Sequence, residues 1–407
     1  MTRIRSAHRR GIRLASATVL ASVVALVAAG CSAAAAPAPS PTELSGISTA
    51  KVEALFQQGA ADLHMPGAFL LLETPDGEFS SSYGATQIGG ETPPAAGTHI
   101  RVGSNTKTWT GTVILQLAEE GKLKLDDPVS RFRSDVPNGE NITIRMLLDM
   151  RSGLYNYTED PGLAAAMDAN PQRVWAPAEL IKVGLSQPPY FAPDQGYHYS
   201  NTNTAILGTI IEQLENKSLH DVFQERLFNP LGMSDTLFPV ATDADLPRPL
   251  SHGYSFGTNV GTLNAPALDA SQLQDFYAGL LAPDDHTFDN PSWAYAAGAG
   301  ISTAHDLAIW AKALANGTLL DPAYQAQRTQ FQKVSPTAPS NAATYGLALA
   351  NFGGYYGHTG ELPGYNSFVA SNPKTGVTLV VWANLAPTGD GKDPATTIAR
   401  SIIESVG

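Results

Sequence analysis

Ser104 and Lys107, in the stretch Arg101-Val-Gly-Ser-Asn-Thr-Lys-Thr-Trp109, place a hydroxyl and an amine three residues apart. Trp109, Val113, Ile114 and Leu117 recur at helical spacing, so the segment after Lys107 reads as a buried helix with Ser104 at or beside its N-terminus. There, unpaired backbone N–H groups and the helix dipole favour developing negative charge. A side chain three residues on rises from the same face, with Cβ atoms about 5–6 Å apart. Such a pair can make a nucleophile and its base. The same spacing also describes a capping Ser followed by a solvated Lys, and Ser48-Thr-Ala-Lys51 fits it as well. Ser48 precedes the first hairpin, with no helix ahead of it to shape a site, and reads as a helix cap.

Three further clusters could join Ser104. Tyr197-His-Tyr199-Ser-Asn201 opens a helix, and Gly357-His358-Thr359-Gly360-Glu361 falls on a late strand or its turn. Ala297-Gly-Ala-Gly-Ile-Ser-Thr303 precedes a helix containing Asp306, Leu307 and Trp310. Taken singly, each is ordinary: a core Tyr beside a cap, or a turn.

The elements that must position them follow from periodicity. Residues 48–62 form an amphipathic helix carrying Val52, Leu55 and Phe56, and a β-hairpin follows with its turn at Pro75-Asp-Gly77. Helical segments are expected near 143–150, 177–186, 202–216 and 218–228, broken by Gly, Pro and Asn. Strand character returns at 345–351, 355–357, 367–371 and 377–382, and a helix at about 395–405 closes the chain. Strands at both ends with helices between them predict an α/β (α+β) fold. One antiparallel sheet, built from both termini and flanked by helices, would face a mainly helical lobe, roughly 122–290, across a cleft. Internal repeats are not found.

The first thirty residues read as a leader. Arg3, Arg5, Arg9, Arg10 and Arg13 precede an apolar run over 14–29, and Ala28-Ala-Gly30 leads into Cys31, the only cysteine. The pattern resembles a bacterial lipoprotein signal, which implies a lipid on Cys31 and a protein tethered to the outer face of the cell membrane. An uncleaved anchor and an ordinary secretory peptide are the alternatives, and Arg9-Arg10 leaves twin-arginine export open. The Ala- and Pro-rich stretch over 31–47 reads as a linker, and 48–407 as the folded domain. Removing the five leader arginines takes the net charge from −12 to −17, which argues against a nucleic-acid partner. With one Cys, neither an intramolecular disulfide nor a thiolate metal site is available. The nine His lack metal-binding spacing, so no metal or other cofactor is expected.

In the order S-x-x-K, Y-x-N and H-T-G, the three motifs resemble the serine β-lactamase and penicillin-binding fold. The similarity is greatest to D-alanyl-D-alanine carboxypeptidases, class C β-lactamases and related esterases. It extends through Leu147-Leu-Asp-Met-Arg-Ser-Gly-Leu154, Tyr199-Ser-Asn-Thr-Asn203 and Leu227-Phe-Asn-Pro-Leu-Gly-Met233, over roughly 48–407. The resemblance implies an acyl-enzyme hydrolase acting on a peptidoglycan peptide, an ester or a β-lactam. Ser104 would be the nucleophile, and Lys107 and Tyr199 would share the proton work, each depressing the other's pKa. Asn201 would orient Lys107 and the substrate. Backbone N–H groups of Ser104 and Glu361, the latter just after Gly360, would form the oxyanion hole. His358 would protonate the leaving group or order Tyr199, and Thr359 would bind substrate.

Two departures bear on the substrate. Ala350 and Asn351 stand where carboxypeptidases of this group would carry a cation for the terminal carboxylate, and Glu361 puts a carboxylate beside the oxyanion hole. Both leave room for an esterase or another amide hydrolase. A non-catalytic penicillin-binding-like cell-wall protein is a further alternative, which the intact Ser104, Lys107 and Tyr199 oppose. The G-x-S-x-G at 253–257 lacks the strand and helix that a nucleophile elbow needs, and reads as a loop.

Overall fold

The computed structural model describes residues 43–339 and 341–406. The leader, Cys31 and the linker as far as residue 42 lie outside the described residues. Within the stretch read as linker, Glu43–Leu44 already pairs with Ile47–Ser48. Among the described residues, no helix is long and apolar enough to cross a membrane.

An eight-stranded antiparallel sheet takes its strands from both ends of the chain. In chain order they are β1 (Gly67–Thr74), β2 (Gly77–Gly84), β3 (Gln332–Lys333), β4 (Thr344–Tyr345), β5 (Ala350–Phe352), β6 (Tyr355–Leu362), β7 (Tyr365–Ser371) and β8 (Thr378–Ala383). Their spatial order is β2-β1-β8-β7-β6-β5-β4-β3, so the N-terminal hairpin joins the C-terminal strands at β1–β8. The stretch expected as one strand over 345–351 is split between β4 and β5, because Ala348 takes a positive φ of 50° in the turn between them.

The central strands are apolar on both faces, as two-sided burial requires. Along β8, Leu379 and Val381 enter one core while Val380 and Trp382 enter another; Leu70 and Leu72 alternate with Phe69 and Leu71 along β1. The outer core lies under helices α1 (Thr49–Asp62) and α5 (Pro394–Val406), through Val52, Phe56, Ile398 and Ile402. Ser48 caps α1 by accepting from Lys51 N, as its sequence predicts.

The inner core surrounds α2 (Thr106–Glu119), in which every residue from Thr106 to Leu115 is buried. Trp109 anchors it edge-on against Phe228 (ring centroids 4.9 Å apart) and Trp310 (6.4 Å). Helix α3 (Asn201–Glu215), from the helical lobe, and α4 (Ala304–Asn316) pack around the same centre. The G-x-S-x-G stretch contains a two-residue strand, Tyr254–Ser255, paired with Asp284–Asp285 and followed by a helix at Asn259–Asn264, which replaces the loop expected there.

Candidate active site

Ser104 sits in a single 3-10 turn, Gly103–Asn105, that runs directly into α2. A ring of short polar bonds fixes this turn. Asn105 Nδ2 donates to Ser367 Oγ (2.9 Å) and Val102 O (3.2 Å), and Thr106 Oγ1 donates to Gly103 O (2.8 Å). Strand β6 crosses the turn at backbone contact. A Cβ on Gly360 would lie 1.9 Å from Val102 O, and one on Gly103 (φ +55°) would lie 2.5 Å from Glu361 N. Both glycines are therefore required by close approach. The contact brings the Glu361 amide beside the turn that presents Ser104, where an oxyanion hole needs a second donor.

Lys107 is fully buried, and its Nζ donates to Ser104 Oγ (2.9 Å) and to Ala297 O (2.8 Å). Burial holds its pKa well below the ordinary lysine value, so the amine is kept ready to accept a proton. The carbonyl that orients it comes from the Ala297-Gly-Ala-Gly300 stretch. Gly300 leaves room there for Trp109, whose ring a Cβ would approach at 2.3 Å. Asn201, expected to orient Lys107, does not bond to it. Its Nδ2 donates to Thr158 Oγ1 (2.9 Å) and its backbone N to Asn156 Oδ1 (3.0 Å), placing the residue on the cleft wall.

Tyr199 approaches from the helical lobe, with Lys107 Nζ lying 4.7 Å from the centre of its ring. The Leu147–Leu154 motif holds this segment: His198 N donates to Met150 O (3.0 Å), and Ser152 Oγ to Asn203 Oδ1 (2.6 Å). The Tyr199 hydroxyl is buried and makes no hydrogen bond of acceptable geometry, although Ser104 is near enough to favour its ionised form slightly. Burial dominates and pushes the phenol above its ordinary value. The expected mutual lowering does not hold: Lys107 is lowered by its own burial, and Tyr199 is raised. Burial disfavours the charged form of each group, so the amine is poised to accept a proton and the phenol to keep its own.

His358 also departs from expectation. Its Nδ1 faces Thr359 O at 2.6 Å and its Nε2 faces the hydroxyl of Tyr345 at 3.0 Å. Burial, reinforced by Lys107, pushes it down to about 3. A ring that stays neutral and is bonded at both nitrogens is not placed to protonate a leaving group. It does not bond to Tyr199 either, the ring centroids lying 6.0 Å apart. Tyr345, which the sequence marks only as the start of a strand, thus belongs to the site. Thr359 is half-buried on β6.

A cleft of about 500 Å³ opens over Ser104. Asn201 and Glu361 line it together with apolar groups such as Met167, Leu263 and Trp293, and neither lysine nor arginine does. The Glu361 carboxyl accepts from Asn366 Nδ2 (3.4 Å). Burial and the neighbouring Asp393 carboxyl raise it well above the carboxylate range. Glu361 is an exposed residue, and the Asp393 carboxyl is what disfavours its charged form. Among the described residues, no group of three or more His, Cys, Asp or Glu could hold a metal ion.

The arrangement supports attack by Ser104 with Lys107 as base, and the chain as a whole is similar to known proteins. The profile of the family described as Beta-lactamase matches residues 52–402. Protein flp of Staphylococcus aureus (strain N315) is 26% identical over 354 residues, covering 84% of this chain and 64% of its own length. The chain thus spans less than two thirds of that relative. A D-stereospecific amidohydrolase from Streptomyces sp. superposes with a TM-score of 0.73 at 29% identity, covering 88% of this chain and 97% of its own. A penicillin binding protein from Bacillus halodurans shares the fold, with a TM-score of 0.67 at 20% identity over 86% and 99% of the two chains.

Proposed function

The chain belongs to the beta-lactamase family, and from that premise we propose that it is a serine hydrolase cleaving amides through an acyl-enzyme on Ser104. The observation that carries this reading is the 2.9 Å bond between Ser104 Oγ and a buried Lys107 amine with a strongly lowered pKa. Lys107 takes the Ser104 proton as Oγ attacks the carbonyl carbon. The oxyanion is met by the Ser104 and Glu361 amides, and a donor of this kind is worth roughly 10²–10³ in rate. Tyr199, held protonated by burial, gives its proton to the departing nitrogen and recovers one from the Lys107 ammonium. Two groups whose environments keep one proton-free and the other proton-bearing divide the base and acid roles between them. Water then attacks the ester by the same steps in reverse.

The likeness to a D-stereospecific amidohydrolase favours an amide with a D-configured acyl part. The absence of lysine and arginine from the lining suits a neutral or cationic substrate better than a free C-terminal carboxylate. D-Ala-D-Ala carboxypeptidase activity is the second reading, favoured by the fold shared with a penicillin binding protein. Hydrolysis of D-phenylalanine amide, its L enantiomer, a D-Ala-D-Ala peptide, benzylpenicillin and p-nitrophenyl acetate separates the possibilities. Preference for the D-amide supports the first reading, and cleavage of the peptide alone replaces it with the second. Turnover of the ester alone would make the protein an esterase. We further propose that the domain works outside the cytoplasmic membrane on a lipid attached to Cys31. Metabolic labelling with a fatty acid that persists in Cys31→Ala would contradict this.

A further inference from the structure

The orphaned Tyr199 hydroxyl has a nearby group that could have bonded to it. His358 has two ring nitrogens, and its ring centre lies 6.0 Å from that of Tyr199. It is instead fully engaged elsewhere. Nδ1 faces a carbonyl, Thr359 O, at 2.6 Å, and only an N–H can occupy that position. In a neutral ring Nε2 is then an acceptor, so at 3.0 Å the Tyr345 hydroxyl must be the donor. Tyr345 is itself buried, edge-on to both rings: 5.7 Å from His358 and 6.4 Å from Tyr199, at angles of 87° and 89°.

Resting on the acyl-enzyme reading, we propose that Tyr345 is a positioning residue that locks His358 as the neutral Nδ1–H tautomer, leaving the Tyr199 hydroxyl without a competing partner. An unlocked imidazole could take a proton at Nε2. It would then be a cation beside Lys107, and a donor able to turn to the phenol oxygen that must receive a proton from Lys107. The groups facing this cluster are Lys107 from α2, Tyr197 and Tyr199 from the segment before α3, and Tyr345 from β4. Arg328 and Asp149 lie behind Tyr345. A donated bond to Nε2 stabilises the neutral ring, so its loss moves His358 toward protonation.

The test uses Tyr345→Phe, which removes one oxygen, in the folded protein, with whichever substrate the wild type turns over. Expected is a fall of about tenfold or more in kcat with KM nearly unchanged, and an acid limb of the pH–rate profile displaced upward by about one pH unit or more. Repeating the pair in an Asp149→Asn background keeps the titration of that group out of the comparison. An acid limb that stays in place, whether kcat is unchanged or falls equally at every pH, would overturn the proposal and leave Tyr345 a packing residue. Should Tyr345→Phe not fold, ¹⁵N NMR of the wild-type histidines decides. His358 must show a protonated Nδ1 and a bare, hydrogen-bonded Nε2 at pH 5, and a protonated Nε2 would refute the lock. A wild type that turns over no substrate would count against the acyl-enzyme reading, whereas the tautomer signature bears on the lock alone.

Discussion

The two faces of the sheet are built by opposite rules. Beneath α1 and α5 the outer face is largely apolar: Val52, Phe56, Leu70, Phe368, Leu379 and Ile398 meet there, and the buried polar groups beside them, Ser81 and Asn366, are neutral. The inner face buries Lys107, His358 and Arg328 within the reach of Trp109, Val369 and Trp382. Arg328 has no carboxylate partner. It bonds to Thr112 Oγ1 (2.8 Å) and Thr108 O (3.1 Å), and burial lowers it to about 9. Burying ionisable groups without counter-ions is unfavourable, and the outer face carries no such burden. The outer layer thus supplies stability, against which the inner layer can hold a buried lysine of lowered pKa in place for chemistry.

Exchange of the buried amine for an apolar group should separate the two faces most widely. Lys107→Met is expected to lower turnover by about 10²–10⁴-fold, while the melting temperature holds or rises because an ionisable group has left the core. A comparable loss of stability would mean that Lys107 is structural. On the opposite face, Phe56→Ala should cost about 3–5 kcal/mol in a denaturant titration, with kcat per folded molecule unchanged. A changed kcat would show that the faces are not independent.

Asp149 sharpens the contrast within the inner layer. Its Oδ1 is buried without a partner, and burial raises its pKa from 3.8 to about 7. Folding therefore favours the protonated acid. The stability it contributes is fully present below the unfolded pKa near 4 and is lost as pH rises through about 7. Asp149→Asn should remove this dependence and, above pH 7, stabilise the fold by up to about 4 kcal/mol. Thermal melts between pH 4 and 8 that run parallel for the two proteins would contradict it. The smallest effect concerns the alkaline side of the rate profile. With Lys107 lowered and Tyr199 raised, activity should rise along an acid limb. It should then stay flat through pH 10, where an ordinary phenol would already be titrating. A decline centred near 10 would remove Tyr199 from the acid role.

Much of this division was legible in the sequence. Helical spacing placed α1, α2 and α5, and apolar runs bounded by turn residues placed the hairpin, the start of β6, β7 and β8. Ser104, Lys107 and Tyr199 stood out by residue type and order, and the structure brings them together. Partners set by backbone were not legible. The carbonyl of Ala297 orients Lys107, yet no side chain marks it. Asn201 bonds instead to Thr158, in a 156–158 turn that is unremarkable in sequence. His358 looked like a proton donor by type. Its burial beside Lys107 keeps it neutral, and its partner Tyr345 lies thirteen residues away on another strand.

The central claim is that Ser104 carries the acyl group, and intact-mass spectrometry of quenched reactions tests it most directly. Residues 32–407 would be mixed with p-nitrophenyl acetate and, separately, with benzylpenicillin, with Ser104→Ala treated alongside. The account predicts a single acyl adduct with at least one reagent, mapped to the peptide containing Ser104 and absent from the variant. An adduct that survives in Ser104→Ala, or hydrolysis that continues there at the wild-type rate, would contradict it.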